Sequence, residues 1–223
     1  MIVDERFVTY INSLSGGNTK LLEEIETEAL GTDVPVIRKE TQECLKLFLA
    51  MKKPERILEV GTAVGFSAIL MKTYNPADCT ITTIENYEKR IPIARTNFRR
   101  AGVEESITLL EGDAARVLEQ LREPYDLIFM DAAKGQYIHF LPHVVRLLKA
   151  DGVLISDNIL QDGDIIESRY AVIRRNRTIH RRMRQYLYEL THHEQLVTAV
   201  FPVGDGITVS SKKAQTKALG GQK

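Results

Sequence analysis

Five short apolar runs, each followed by an amphipathic stretch, constrain this chain more than any other feature. Residues 57–60, 80–84, 106–110, 126–130 and 153–156 read as strands. Residues 67–73, 89–101, 114–120 and 137–149 read as the helices between them. Strand–helix alternation of this kind predicts an α/β fold built on a parallel, doubly wound sheet. Residues 196–202 and 207–211, joined through Gly204-Asp205-Gly206, predict an antiparallel hairpin that closes the sheet. Upstream, residues 4–14, 19–30 and 38–52 read as helices, the last stopped by Pro54. A long helix is expected over 165–188. One domain over residues 1–211 accounts for all of this, and the polar tail 212–223, with Gly220-Gly221, is expected to be mobile.

In such a sheet the carboxyl ends of the strands share one edge, where ligands bind. All five of those ends carry chemistry. The runs at 126–130 and 153–156 lead into Asp131-Ala132-Ala133-Lys134 and Asp157-Asn158. Two carboxylates and an amide oxygen make an oxygen-rich set suited to Mg²⁺, with Mn²⁺ or Ca²⁺ as alternatives. The first strand leads into Gly61-Thr62-Ala63-Val64-Gly65-Phe66-Ser67, a glycine turn that lets backbone approach a ligand ahead of a helix N-terminus. Ala63 stands where a dinucleotide fingerprint needs its second glycine, which argues against NAD. Glu85 ends the second strand, about 20 residues past the loop, where an acid can accept both ribose hydroxyls of an adenosine. Asp113 follows the third strand and reads either as an adenine acceptor or as a helix cap. Glycine loop, Glu85 and Asp113 together trace an adenosine across successive strand ends.

Bulk numbers exclude several classes. Lys+Arg and Asp+Glu each total 30, so no global field draws the protein to nucleic acid or membrane, although a local patch remains open. Two cysteines, Cys44 and Cys79, lack metal-ligand spacing and are expected as reduced, packed thiols. No apolar run approaches the ~18 residues of a membrane span, so no membrane partner is expected and cytoplasmic residence is the default.

The chain resembles the cation-dependent O-methyltransferases that use S-adenosylmethionine, the caffeoyl-CoA and catechol group. The likeness is carried by Glu59-Val60-Gly61, Gly65-Phe66-Ser67, Gly112-Asp113-Ala114, Tyr125-Asp126 through Lys134, Asp157-Asn158 and Gly204-Asp205-Gly206-Ile207. It implies a Rossmann-like class I methyltransferase with a seven-stranded sheet. It implies metal ligation by Asp131, Asp157 and Asn158, and a catalytic role for Lys134 beside the acceptor hydroxyl and for Asp131. Val36, Glu59, Gly61, Gly65, Ser67, Glu85, Asp113, Ala114 and Asp131 are the implied cofactor-binding residues. Val36 and its neighbours are expected to close over the cofactor.

The stretch 169–184 holds Arg169, Arg174, Arg175, Arg177, Arg181, Arg182 and Arg184 with Tyr170 and His180 interleaved. Clustered arginines suit phosphates and an adjacent aromatic can stack a single-stranded base, whereas a solvated helix face or a dimer contact would look the same in sequence. Within the family the chain is most similar to the bacterial enzymes that methylate 5-hydroxyuridine at the wobble position of tRNA. That likeness implies the tRNA anticodon region as partner, Arg174, Arg175, Arg181 and Arg182 as RNA-binding residues, and a homodimer. A small catechol or phenol is the alternative acceptor.

Overall fold

A computed structural model of the chain describes residues 3–214. Three helices come first: α1 (Glu5–Ser13), α2 (Lys20–Leu30) and α3 (Lys39–Lys52). Then β1 (Arg56–Val60), α4 (Phe66–Tyr74), β2 (Thr80–Glu85), α5 (Ile91–Arg100), β3 (Ile107–Glu111), α6 (Ala114–Gln120), β4 (Tyr125–Met130), α7 (Tyr137–Leu147) and β5 (Leu148–Ser156) alternate. The chain closes with α8 (Arg177–Thr191), β6 (Leu196–Phe201) and β7 (Ile207–Lys212). Seven strands form one sheet in the order β3-β2-β1-β4-β5-β7-β6. The first five run parallel, and β7 is antiparallel to both β5 and β6.

Both faces of the sheet are covered, which is why its strands read as continuous apolar runs. Side chains alternate by the strand period of two. Leu127 and Phe129 enter the core under α2–α5, while Ile128 and Met130 enter the opposite core under α6–α8. Among the described residues no helix is long and apolar enough to cross a membrane. Cys44 and Cys79 are free.

Strand register sets the site. Val60 lies beside Ile84 and beside Met130, and Met130 lies beside Ser156. The residues that follow, Gly61, Glu85, Asp131 and Asp157, therefore emerge along one edge. The strand order reverses between β1 and β4, the topological switch where open α/β sheets bind ligands.

Two expectations need correction. The helix expected over 165–188 is shorter and starts later, at Arg177. Two 3-10 turns, Gln161–Ile166 and Arg174–Asn176, occupy the start of that span. Asp162 and Gly163 take left-handed φ of 52° and 100°, and Ser168 bonds the backbone N–H of Ala171 through its own hydroxyl, so the backbone turns instead of coiling. Arg169, Arg174 and Arg175 thus precede the helix. The last strand also runs one residue further than expected: Lys212 is still in β7, where its ammonium donates to the carbonyls of Val145 and Leu148. The rest of the tail, 215–223, lies outside the described residues.

Candidate active site

Gly61 and Asp131 open the site. Gly61 has φ +104°, and a Cβ there would sit 2.1 Å from the Asp131 carbonyl oxygen, so only glycine lets the ends of β1 and β4 meet this closely. Two residues on, the Ala63 N–H donates to Glu85 Oε2 at 2.8 Å. The N–H groups of Asn86 and Tyr87 donate to Glu85 Oε1, both at 2.9 Å. Three backbone donors hold this carboxylate at the strand end with acceptor lone pairs to spare. It lines a cavity of about 570 Å³ together with Gly61, Asp113, Asp131, Lys134 and Asn158. Ala114 and Pro35 complete parts of the wall. Asp113 caps α6 by accepting from the Arg116 N–H at 3.2 Å, and it also lines the cavity.

Four expected cofactor residues are not on this wall. Glu59 is fully buried beneath the glycine loop, where its two oxygens accept from Ser67 Oγ and Thr83 Oγ1, both at 2.5 Å. Burial pushes the Glu59 carboxyl up to about 8, against the opposing pull of those two hydrogen bonds. Glu59 and Ser67 thus brace the loop from below. Gly65 begins α4 with φ +86°, its missing Cβ leaving room for the Phe98 ring. Val36 faces a different, apolar cavity of about 650 Å³, beside Val8, Ile11, Ile37 and Pro202. Its neighbour Pro35 touches the cofactor cavity instead.

Asp131, Asp157 and Asn158 lie together at the ends of β4 and β5. The Asn158 side-chain amide donates to Asp131 Oδ1 at 3.0 Å, and the Asn158 backbone N–H donates to Asp157 Oδ1 at 2.7 Å. Asp157 is only 2% exposed. Burial, with the neighbouring Asp131 charge second, pushes its carboxyl up to about 8. Burial raises Asp131 as well. Two adjacent buried carboxylates that resist ionising together are an electrostatic demand for a cation. Among the described residues no three His, Cys, Asp or Glu side chains converge, so a cation held here would need the amide oxygen of Asn158 as its third donor. A half-turn of that amide presents its oxygen, since the two amide atoms are assigned from hydrogen bonding. The all-oxygen donor set fits a hard divalent cation.

Sequence reasoning missed two residues here. The buried Tyr137 hydroxyl lies 3.1 Å from the carbonyls of both Met130 and Asp157 and accepts from the Ala132 N–H, tying the ends of β4 and β5. Asp205, on the β6–β7 turn, lies with its Oδ2 3.1 Å from Lys134 Nζ. The signals for Asp205 were an acid set between two glycines and its place in the Gly204-Asp205-Gly206-Ile207 motif of the resemblance, neither of which gave it a role.

Lys134 begins the short turn Lys134–Gln136, against which α8 packs. Arg182 donates to the Gly135 carbonyl at 3.2 Å, so the arginine-rich region reaches the residue next to Lys134. Arg169, Arg174, Arg175, Arg181 and Arg184 are exposed.

The sequence matches the model of the O-methyltransferase family over residues 12–213. It is 31% identical to caffeoyl-CoA O-methyltransferase 5 of Nicotiana tabacum over 179 residues, covering 74% of this chain and 72% of that protein. It is 32% identical to a catechol O-methyltransferase of Niastella koreensis over 127 residues, covering 55% of this chain and 58% of that protein. The SAH-bound methyltransferase PaMTH1 of Podospora anserina superposes with a TM-score of 0.84 at 26% identity, over 94% of this chain and 95% of that one.

Proposed function

The chain belongs to the O-methyltransferase family and is an S-adenosylmethionine-dependent enzyme of the caffeoyl-CoA and catechol type; from that premise we propose that its acceptor is the 5-hydroxyl of 5-hydroxyuridine in the anticodon region of tRNA, held by a divalent cation and converted to 5-methoxyuridine. One observation carries this reading. Residues 169–184 hold seven arginines and no acid, none of the arginines in an ion pair among the described residues, in a protein whose formal net charge is zero only with them included. Arg182 brings that charge to the edge of the site. Tyr170, 84% exposed, offers a ring on which an unpaired base can stack.

Glu85 and Asp113 would receive the ribose and adenine of the cofactor, and Asp131, Asp157 and Asn158 would hold the cation, Mg²⁺ in the first instance. When bound, the cofactor supplies a methyl group activated by its sulfonium and the cation acidifies the acceptor hydroxyl. Lys134 takes the hydroxyl proton or holds the resulting oxyanion. The arginines bind phosphate and fix the register of the RNA loop. A 5-hydroxyl beside uracil O4 offers two adjacent oxygens, as a catechol does, so one metal site suits either acceptor.

Incubating hydroxylated, unmethylated tRNA with labelled cofactor and Mg²⁺ or Mn²⁺ tests the reading. Label in the anticodon loop supports it. Absence of label, with turnover of a catechol under the same conditions, overturns it in favour of a small phenolic acceptor. That second reading is favoured by the apolar 650 Å³ cavity beside the site and by the substrates in the names of the tobacco and Niastella relatives.

A further inference from the structure

We propose that Arg90 is a cofactor-binding residue: its Nε–H donates to the one ribose hydroxyl of S-adenosylmethionine that Glu85 has no room to serve. The inference rests on the reading of Glu85 as the ribose acceptor. Backbone groups already use most of that carboxylate. Its Oε1 takes two N–H groups, from Asn86 and Tyr87, and its Oε2 takes a third, from Ala63. A carboxylate has about four lone-pair sites, so the spare capacity is on Oε2. That suffices for one ribose hydroxyl, where the sequence pattern expects two.

Arg90 lies on the same wall. Its backbone N–H donates to the Tyr87 carbonyl at 2.8 Å, so a single turn carries the chain from Glu85 to the start of α5. It lines the 570 Å³ cavity together with Glu85, Tyr87 and Asp113. Its Nε is buried and has no hydrogen-bond partner among the described residues. A charged donor buried without an acceptor is costly, and native structures leave one chiefly where a bound group completes it. The guanidinium carbon lies 5.3 Å from the centroid of the Tyr87 ring, a contact that steadies the side chain but gives the N–H only a weak acceptor. A ribose hydroxyl keeps two lone pairs on its oxygen, so the bound nucleoside carries the acceptor that Arg90 lacks. The charges of the cofactor sit at its sulfonium and amino-acid end. What Arg90 gains is therefore a directed hydrogen bond to a neutral oxygen, not an ion pair.

Calorimetric titration of the full chain with S-adenosylhomocysteine, and with its 2′-deoxy and 3′-deoxy analogues, tests this without turnover. In the wild type, loss of either hydroxyl should raise Kd about 10-fold, the worth of one hydrogen bond to a charged group. Arg90→Met should raise Kd for the parent compound by a similar factor. For one analogue the two losses should not multiply, and wild type and variant should bind it within about twofold of each other. For the other analogue they should multiply, because that hydroxyl belongs to Glu85. Arg90→Lys keeps the charge without the Nε–H and should behave as Arg90→Met does, which also covers a methionine variant that fails to fold. Losses that multiply for both analogues overturn the proposal, as does wild-type affinity in Arg90→Lys. A wild type indifferent to both hydroxyls sinks the reading of Glu85 itself.

Discussion

Glu59 and Asp157 are both buried acids pushed up to about 8, yet they answer to different demands. Glu59 is closed in by Ser67 and Thr83 and belongs to the loop's support. Its folded-state value lies above its unfolded one, so the fold keeps a proton that the unfolded chain releases. Stability from this group is intact below about pH 4.5, falls as pH rises towards 8, and levels off beyond. The loss amounts to at most about 5 kcal/mol. Glu59→Gln keeps the neutral shape, so urea unfolding between pH 5 and 8 should show that slope flattened in the variant. Equal slopes in both proteins would mean that Glu59 titrates normally. Asp157 instead stands among oxygen donors. Asp157→Ala, or chelation of the wild type with EDTA, should cut methyl transfer at least about 100-fold while calorimetry shows cofactor binding retained. Undiminished product formation would remove the metal from the mechanism.

Among the elements, α8 and the turn before it separate RNA from a small acceptor. Changing Arg174, Arg175, Arg181 and Arg182 together to alanine should weaken tRNA binding and reduce the log–log salt slope by up to about 3, at roughly 0.7 per lost single-strand phosphate contact. Turnover of a catechol should be unaffected. An unchanged salt slope in filter binding would assign these arginines to another task. The same region marks where sequence reading stops. The central strands were legible because a sheet buried on both faces demands unbroken apolar runs, and Asp131 and Asp157 were legible because each directly follows such a run. Residues 165–176 were not, because Ile165 and Val172 are buried by turns rather than along a helix face. Asp205 was hidden for a related reason. Its meaning lies in a contact with Lys134, 71 positions away, which no local pattern encodes. Glu59 and Ser67 were found as site residues, but pattern alone could not tell a brace below the loop from a ligand contact above it.

For the whole molecule, the sheet has one unusual margin. β6 is its last strand and, among the described residues, pairs only with β7. Val197, Val200 and Phe201 on it are exposed, and the run Leu196-Val197-Thr198-Ala199-Val200-Phe201 holds no charge. An edge strand left bare in this way templates pairing with another chain, and natural sheets normally blunt such an edge with charge, proline or a cover. A homodimer is expected from family likeness, and β6 is the edge best suited to form it, since a twofold axis lets the same strand meet its copy. Light scattering at micromolar concentration should therefore give twice the mass of one chain. Val200→Lys with Phe201→Lys should halve that mass without disturbing the secondary-structure signal, because neither side chain is part of the core. A single-chain mass for the wild type would rule the dimer out, and a dimer that survives both lysines would move its interface away from β6.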